Sequence, residues 1–317
     1  MKQLEFEKPL YELYEKIDQL KALSQEEDID MDSEISRIEK RAEKVKQEIY
    51  KDLTPPQIVQ IARHPNRPDC LSLLRLMSDS FVPLHGDRQF RDDPSIVGGL
   101  AVIGGHKCVV IGHQKGHDTK ENIYRNFGMP HPEGYRKALR LMHMAEKFRL
   151  PIVTFIDTPG AYPGLEAEER GQSEAIARNL REMSALTVPI ISFVIGEGGS
   201  GGALAIGVSN RVYMMQYSIY SVISPEGCAS ILFRDAKKSD EASKSLKITA
   251  ENVVKLGIAD GIVSEPLGGA HHDWTEVSEN MKSKIVKDLI EYRREKPADI
   301  QEERYQKFRN MGQYIEA

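Results

Sequence analysis

Pro189-Ile190-Ile191-Ser192-Phe193-Val194-Ile195-Gly196-Glu197-Gly198-Gly199-Ser200-Gly201-Gly202-Ala203 is the stretch that decides the fold. Its first seven residues are almost continuously apolar, the mark of a strand buried on both faces. Five glycines then fall within the seven residues from Gly196 to Gly202. Ala203-Leu204-Ala205-Ile206 reads as the opening of a helix. A strand passing through a tight turn into a helix is the repeating unit of a largely parallel sheet with helical cover. A second apolar strand, Pro151-Ile152-Val153-Thr154-Phe155-Ile156-Asp157, runs into Thr158-Pro159-Gly160-Ala161-Tyr162-Pro163-Gly164. In open α/β sheets, ligands bind outside the carboxyl ends of strands, where both turns fall.

The same texture extends to either side. Ile96 to Ile103 and Cys108-Val109-Val110-Ile111 read as a strand pair turning at Gly104-Gly105. Helices are expected over 135–149, 168–185 and 249–256, the last stopped by Gly257. Arg211 to Val222 is strand-like, and Ile258 to Ser264 reads as a further strand. Residues 57–100 are mixed, with Pro65, Pro68, Pro83 and Pro94 as punctuation. Residues 1–53 differ in kind. Leu10, Leu13, Ile17 and Leu20, then Ile35, Ile38, Ala42, Val45 and Ile49, recur at helical spacing around the acidic interruption Glu26-Glu27-Asp28-Ile29-Asp30. They predict a helical hairpin, a packing arm closed off by Thr54-Pro55-Pro56. The expected division is therefore a hairpin over 1–53 and an α/β domain over 54–317. That domain ends in a charged helix from Trp274 to Arg294 and a tail with no legible chemistry. The charged 234–247 segment reads as mobile, and a lid is one use for it.

Composition narrows the function. The chain has 317 residues, 40% of them hydrophobic, enough for a full core, and a formal net charge of −5 that argues against a nucleic-acid binder. Its first residues, Met1-Lys2-Gln3-Leu4-Glu5-Phe6-Glu7, lack the apolar core of a signal peptide, and no apolar run reaches a membrane span, so a cytoplasmic protein is expected. Cys70, Cys108 and Cys228 form no C-x-x-C pair, and His113 and His117 lack a third ligand. No metal site is expected in this chain.

Three chemistries fit the glycine-rich turn. Gly196-x-Gly198-x-x-Gly201 matches a dinucleotide fingerprint, but no acidic residue closes a strand about 20 residues on. Gly198-x-Ser200-x-Gly202 matches a nucleophile elbow, with Asp260 and His271 or His272 following in the right order for a triad. The third reading is an oxyanion hole built of backbone N–H groups, with Ser200 structural. Such donors need close approach and no titrating side chain, and the turn is bare of His, Lys and Arg. That bareness favours the third.

A resemblance then enters. The segment 156–164, Glu168-Glu169-Arg170-Gly171-Gln172-Ser173-Glu174-Ala175-Ile176-Ala177, the 196–203 turn and Ser224-Pro225-Glu226-Gly227-Cys228-Ala229-Ser230-Ile231-Leu232 together resemble the carboxyltransferase alpha subunits of bacterial-type acetyl-CoA carboxylase. Gly112-His113-Gln114-Lys115-Gly116, Arg125-Asn126-Phe127-Gly128-Met129-Pro130 and Pro266-Leu267-Gly268-Gly269-Ala270-His271 extend it over nearly the whole chain. The resemblance implies a crotonase-like spiral of β-β-α units. It implies transfer of a carboxyl group from carboxybiotin, presented by a biotin carboxyl carrier protein, to acetyl-CoA, giving malonyl-CoA for fatty acid biosynthesis. It implies a beta subunit partner in an α2β2 assembly, with zinc on that beta subunit, and biotin carboxylase in the larger, ATP-using complex. By the same resemblance Gly201 and Gly202 form an oxyanion hole for the biotin ureido oxygen. Gly160, Ala161, Tyr162, Pro163 and Gly164, with Gly198 and Gly199, shape the pocket. Lys115, Lys120 and Arg125 are candidates for CoA phosphates or the partner, or are solvated cations. Glu226, at a helix start, reads as structural. A hydratase or isomerase acting alone would need a free carboxylate, and Glu197 is the nearest.

Overall fold

The two apolar stripes near the start become α1 (Lys8–Glu27) and α2 (Asp32–Lys51), which close a small core of Leu10, Ile17, Ile35, Ile38 and Ala42. The structure is a computed structural model that describes residues 3–27 and 29–312. Met1 and Lys2, quoted above for the absence of a leader, Asp28 of the acidic interruption and 313–317 of the tail lie outside the described residues. Thr54-Pro55-Pro56 closes the hairpin and also opens α3 (Pro55–Ala62), because proline suits a first helical turn and the Gln57 side chain caps the Thr54 N–H at 2.8 Å. Next come α4 (Cys70–Met77), capped by Asp69, and β1 (Ser78–Pro83). The mixed 57–100 region is thus more ordered than its prolines suggest.

β2 (Ile96–Ile103) and β3 (His106–His113) form the expected antiparallel pair about Gly104-Gly105. The α/β part follows: α5 (Thr119–Tyr124), α6 (Pro132–Phe148), β4 (Ile152–Thr158), α7 (Leu165–Glu169), α8 (Gln172–Ala185), β5 (Ile190–Gly199) and α9 (Ser200–Leu204). After these come β6 (Arg211–Met215), β7 (Ile219–Ser221), α10 (Pro225–Phe233), α11 (Ser239–Leu246), α12 (Ala250–Lys255), β8 (Gly261–Val263), α13 (Trp274–Tyr292) and α14 (Pro297–Arg309). Among the described residues the strands make one mixed sheet in the order β1-β2-β3-β4-β5-β6-β8, with β7 beside the far end of β5. It is antiparallel from β1 to β3 and parallel from β3 onward. Ile152, Ile156, Ile190 and Val194 face the layer of α6, and Val153, Phe155, Ile191 and Phe193 face that of α4 and α13. That two-residue alternation buries the central strands on both sides.

Several boundaries differ from the sequence reading. The helix expected over 168–185 is broken at Gly171, whose φ of +82° ends α7 and starts α8. Arg211 to Val222 is two strands, parted by a turn in which the Ser218 N–H donates to the Met215 carbonyl. Gly257 does stop α12, but Ile258 and Ala259 still donate back to Val253, so β8 starts later. The 234–247 segment is folded into a short 3₁₀ turn and α11, with Ala242 and Ser243 buried. The tail carries α14, whose buried Arg304 donates to the carbonyls of Met183, Leu186 and Val188 at 2.8, 2.6 and 2.6 Å. The bond to Met183 serves the open carbonyl end of α8, and the other two hold the link into β5.

Candidate active site

The two glycine turns meet. β4 and β5 pair in register from Ile152 with Ile190 to Ile156 with Val194, then resume at Thr158 with Gly198. Two residues of β4 therefore span four of β5, and the surplus forms a bulge over Ile195 to Glu197. Its stranded backbone groups are claimed by side chains. The Glu197 N–H donates to Asp157 Oδ1 at 2.9 Å, and Arg67 Nε donates to the Ile195 carbonyl at 2.6 Å. Arg67 is itself held in a buried two-pronged pair with Glu265, at 2.9 and 2.6 Å.

Beyond the bulge the glycines permit close approach. A Cβ on Gly202 would lie 2.6 Å from the Ala161 nitrogen and 2.7 Å from the Gly160 carbonyl carbon. One on Gly199 would collide with the Pro159 peptide, and one on Gly198 with the Tyr220 ring. Gly201 differs, since a Cβ there would meet only Ile176, at 3.6 Å. The expected helix at Ala203 begins three residues early, at Ser200, and lasts a single turn. Ser200 takes a φ of +53° and is exposed, Gly201 is half-buried and Gly202 is buried. Among the described residues no turn or loop bond uses the N–H of Gly201 or Gly202. These are first-turn donors, which a helix leaves open.

The first turn is held differently. Thr158 Oγ1 accepts from the Gly160 N–H at 3.0 Å and donates to the Gly160 carbonyl at 2.7 Å. The Tyr162 N–H donates to the Pro130 carbonyl at 3.0 Å, and Gln172 Nε2 ties the Tyr162 carbonyl at 2.9 Å. The Tyr162 ring lies over Gly164, where a side chain would strike it, and 4.5 Å from the His131 ring. Pro163 is exposed. Gly160 to Gly164, Gly198, Gly199, Gly201 and Gly202 thus lie together where β4 and β5 end, with Gly198 and Gly202 buried.

Other sequence candidates lie elsewhere. Lys115 is no solvated cation: its ammonium bridges Asp157 Oδ1 at 2.7 Å and Glu197 Oε2 at 3.0 Å. Burial pulls its pKa down, but the two carboxylates outweigh that and raise it above the ordinary lysine range. Arg63, which nothing local in the sequence marks, joins Glu197 at 2.6 Å to Glu226 at 2.6 Å. Burial raises the Glu197 carboxyl, yet Lys115 and Arg63 prevail and hold it below the usual carboxylate range. Glu197 is therefore a buried, doubly paired anion and unfit as the free base of a hydratase. Glu226 sits in the first turn of α10, as expected, with Arg63 as an added partner. Lys120 is exposed, whereas Arg125 donates inward to the Pro94 carbonyl at 2.8 Å.

Asp260 and His271 form no triad, and His113 and His117 form no metal pair. Asp260 accepts from the Val212 N–H at 2.6 Å and pairs with Lys307, away from His271, which stacks on His64 at 4.0 Å. His113 is fully buried beside the Gly202 and Phe155 carbonyls without a well-formed bond, and burial depresses its pKa to about 3. His117 instead pairs with Asp69 at 2.8 Å and stacks on Trp274. Glu7, His271 and His272 come within 4.8 Å of one another. There, however, Tyr50 donates to Glu7, and Lys46 and Arg67 add positive potential that disfavours a dication.

Comparison with known proteins shows the family. Residues 3–312 match the family model described as "Acetyl co-enzyme A carboxylase carboxyltransferase-like". The chain belongs to that family. It is 55% identical over 314 residues to the acetyl-coenzyme A carboxylase carboxyl transferase subunit alpha of Geobacter metallireducens, covering 99% of this chain and 98% of that one. The same-named subunit of Methylococcus capsulatus is 54% identical, with 100% and 98% covered. The carboxyltransferase fold recurs in transcarboxylase 12S at a TM-score of 0.58 and 18% identity, covering 78% of this chain and 43% of that one. It recurs in the beta subunit of a geranyl-CoA carboxylase of P. aeruginosa at 0.55 and 17%, covering 80% and 45%. The chain thus spans less than half of those two structures, and at such identity they speak for the crotonase-like fold alone. No helix among the described residues is long and apolar enough to cross a membrane.

Proposed function

We propose that this chain is the alpha half of a biotin-dependent carboxyltransferase that makes malonyl-CoA from acetyl-CoA and carboxybiotin. One observation carries the reading: Gly202 packs on the Gly160–Ala161 peptide, so the turn after β4 lies against the open first-turn N–H groups of Gly201 and Gly202, in a stretch bare of His, Lys and Arg. When the N–carboxyl bond of carboxybiotin breaks, carbon dioxide leaves and negative charge gathers on the ureido oxygen. Gly201 and Gly202 would hydrogen-bond that oxygen, each donor contributing roughly 2.7–4 kcal/mol in the transition state. The ureido nitrogen then takes a proton from the acetyl methyl group, and the resulting enolate attacks carbon dioxide. No side chain of this chain acts as the base, which agrees with Glu197, the carboxylate of the turn, being paired with Lys115 and Arg63.

The enolate oxygen needs a second hole, and we assign it to a beta-type partner of similar fold in an α2β2 assembly, which would also carry the zinc. A biotin carboxyl carrier protein would present the biotin, with biotin carboxylase recharging it, all in the cytoplasm. We read residues 1–53 as an arm and 54–317 as the carboxyltransferase domain, because the hairpin closes a core of its own. The test is malonyl-CoA decarboxylation and carboxyl transfer, measured with and without the beta-type subunit. Turnover only with the partner is expected; turnover by this chain alone would refute the reading.

A further inference from the structure

The proposed hole is made of backbone, so its accuracy depends on whatever fixes β5 where it leaves the sheet. The bulge over Ile195 to Glu197 sits directly before the turn, and three facts concern Asp157. Its Oδ1 accepts the N–H of Glu197, within the bulge. A Cβ on Gly196 would lie 2.5 Å from that same oxygen, so the carboxylate fills the space that a side chain at 196 would need. Lys115, whose aliphatic stem packs under Gly128, ties Oδ1 to Glu197 Oε2 through Nζ and so cross-links the ends of β4 and β5. Arg63 extends the link from Glu197 to α10.

We propose that Asp157, tethered by Lys115, is the positioning residue that sets the 198–202 turn through the bulge it fills. It touches no reacting atom. Its role rests on the oxyanion reading only for its effect on turnover; its effect on the turn itself does not. The carboxylate substitutes for the missing ladder carbonyl, and the lysine keeps it from rotating away or repelling Glu197. An apolar residue at 157 would leave the Glu197 N–H without an acceptor in a buried place, and the strand end would relax. A shift of about 1 Å in a catalytic group costs roughly 100-fold in rate.

The experiment compares Asp157→Ala with Asp157→Asn, which keeps an acceptor oxygen. Hydrogen exchange is followed in the full-length chain alone, and turnover in its complex with the beta-type subunit. Asp157→Ala should speed exchange of the Gly198 to Gly202 amides and lower kcat by about 100-fold, with the KM for acyl-CoA little changed. Asp157→Asn should restore slow exchange and most of kcat. Unchanged exchange and kcat in Asp157→Ala with only a lower Tm would overturn the proposal, as would an Asn variant as impaired as the Ala one. If Asp157→Ala does not fold, Lys115→Met carries the test: faster exchange at 198–202 supports the role, and unchanged exchange refutes it. Exchange is read without substrate or partner, so it answers separately from the hole, whose failure would show as full activity of Gly201→Val/Gly202→Val in the complex.

Discussion

The turns after β4 and β5 look alike on paper, both rich in glycine and both at parallel strand ends, yet they use glycine for different reasons. In the turn after β4, Gly160 has open space where a Cβ would go and needs its glycine for a φ of +153°. That turn is built from its own side chains, through the Thr158 hydroxyl and the Tyr162 ring. In the turn after β5, Gly198, Gly199 and Gly202 have no room for a Cβ at all, and support comes from distant residues: Arg63, Arg67, Lys115 and Asp157. A turn that must offer bare N–H groups cannot supply its own supports, so they lie beneath it. Glycine count alone does not separate the two cases; the neighbours of each missing Cβ do.

That contrast can be broken or sharpened by single methyl groups. Gly202→Ala forces a Cβ into the Gly160–Ala161 backbone, so carboxyl transfer by the complex should fall by at least about 100-fold, the expected result of displacing both turns. Gly201→Ala adds a methyl that meets Ile176 at an ordinary 3.6 Å, and a loss of under about tenfold in kcat is expected, well short of the loss of a whole hole donor. Equal losses from the two would show that room for a Cβ is not what distinguishes them. Gly160→Ala meets no atom and bears only the backbone cost of its φ, about 1–3 kcal/mol, read as a drop in Tm with a smaller loss of turnover than either.

The smallest effect is a control outside both turns. Hydrogen bonding to Asp69 raises the His117 pKa from 6.5 to about 9. The Asp69 carboxyl, pushed up by burial, is brought below its ordinary value by His117. A raised histidine stabilises the fold fully below pH 6.5 and loses that contribution as pH climbs through 9; the lowered carboxyl gives its share above about 3.8 and loses it in acid. His117→Gln should therefore lower Tm by about 2 °C at pH 6, by nothing at pH 10, and leave the ranking of the glycine variants intact. A Tm difference that persists at pH 10 would count against the ion pair.

The sheet was legible because its central strands are apolar on both faces, and Pro151 to Ile156 and Pro189 to Ile195 carry that mark without help from context. The candidate glycines were legible for the same reason: they follow at once. Their supports were not. Arg63 meets Glu197 across 134 residues and Arg67 meets Glu265 across 198, and no local pattern encodes such a pairing. Lys115 was open between a CoA or partner contact and a solvated cation, because a lone lysine carries no sign of its partners; only the fold brings two carboxylates to it. α7 and α8 ran together in the sequence because Gly171 stands amid good helix formers, and nothing local signals its left-handed φ. Asp157 could have been suspected, since an acid ending an otherwise apolar strand must find a partner.

The most direct test of the account is carboxyl transfer from malonyl-CoA to a free biotin analogue by the complex carrying Gly201→Val and Gly202→Val together. The hole predicts that kcat falls by about 10²–10³ or more while the complex still assembles and the KM for malonyl-CoA changes little. Undiminished turnover by that assembled complex would contradict it.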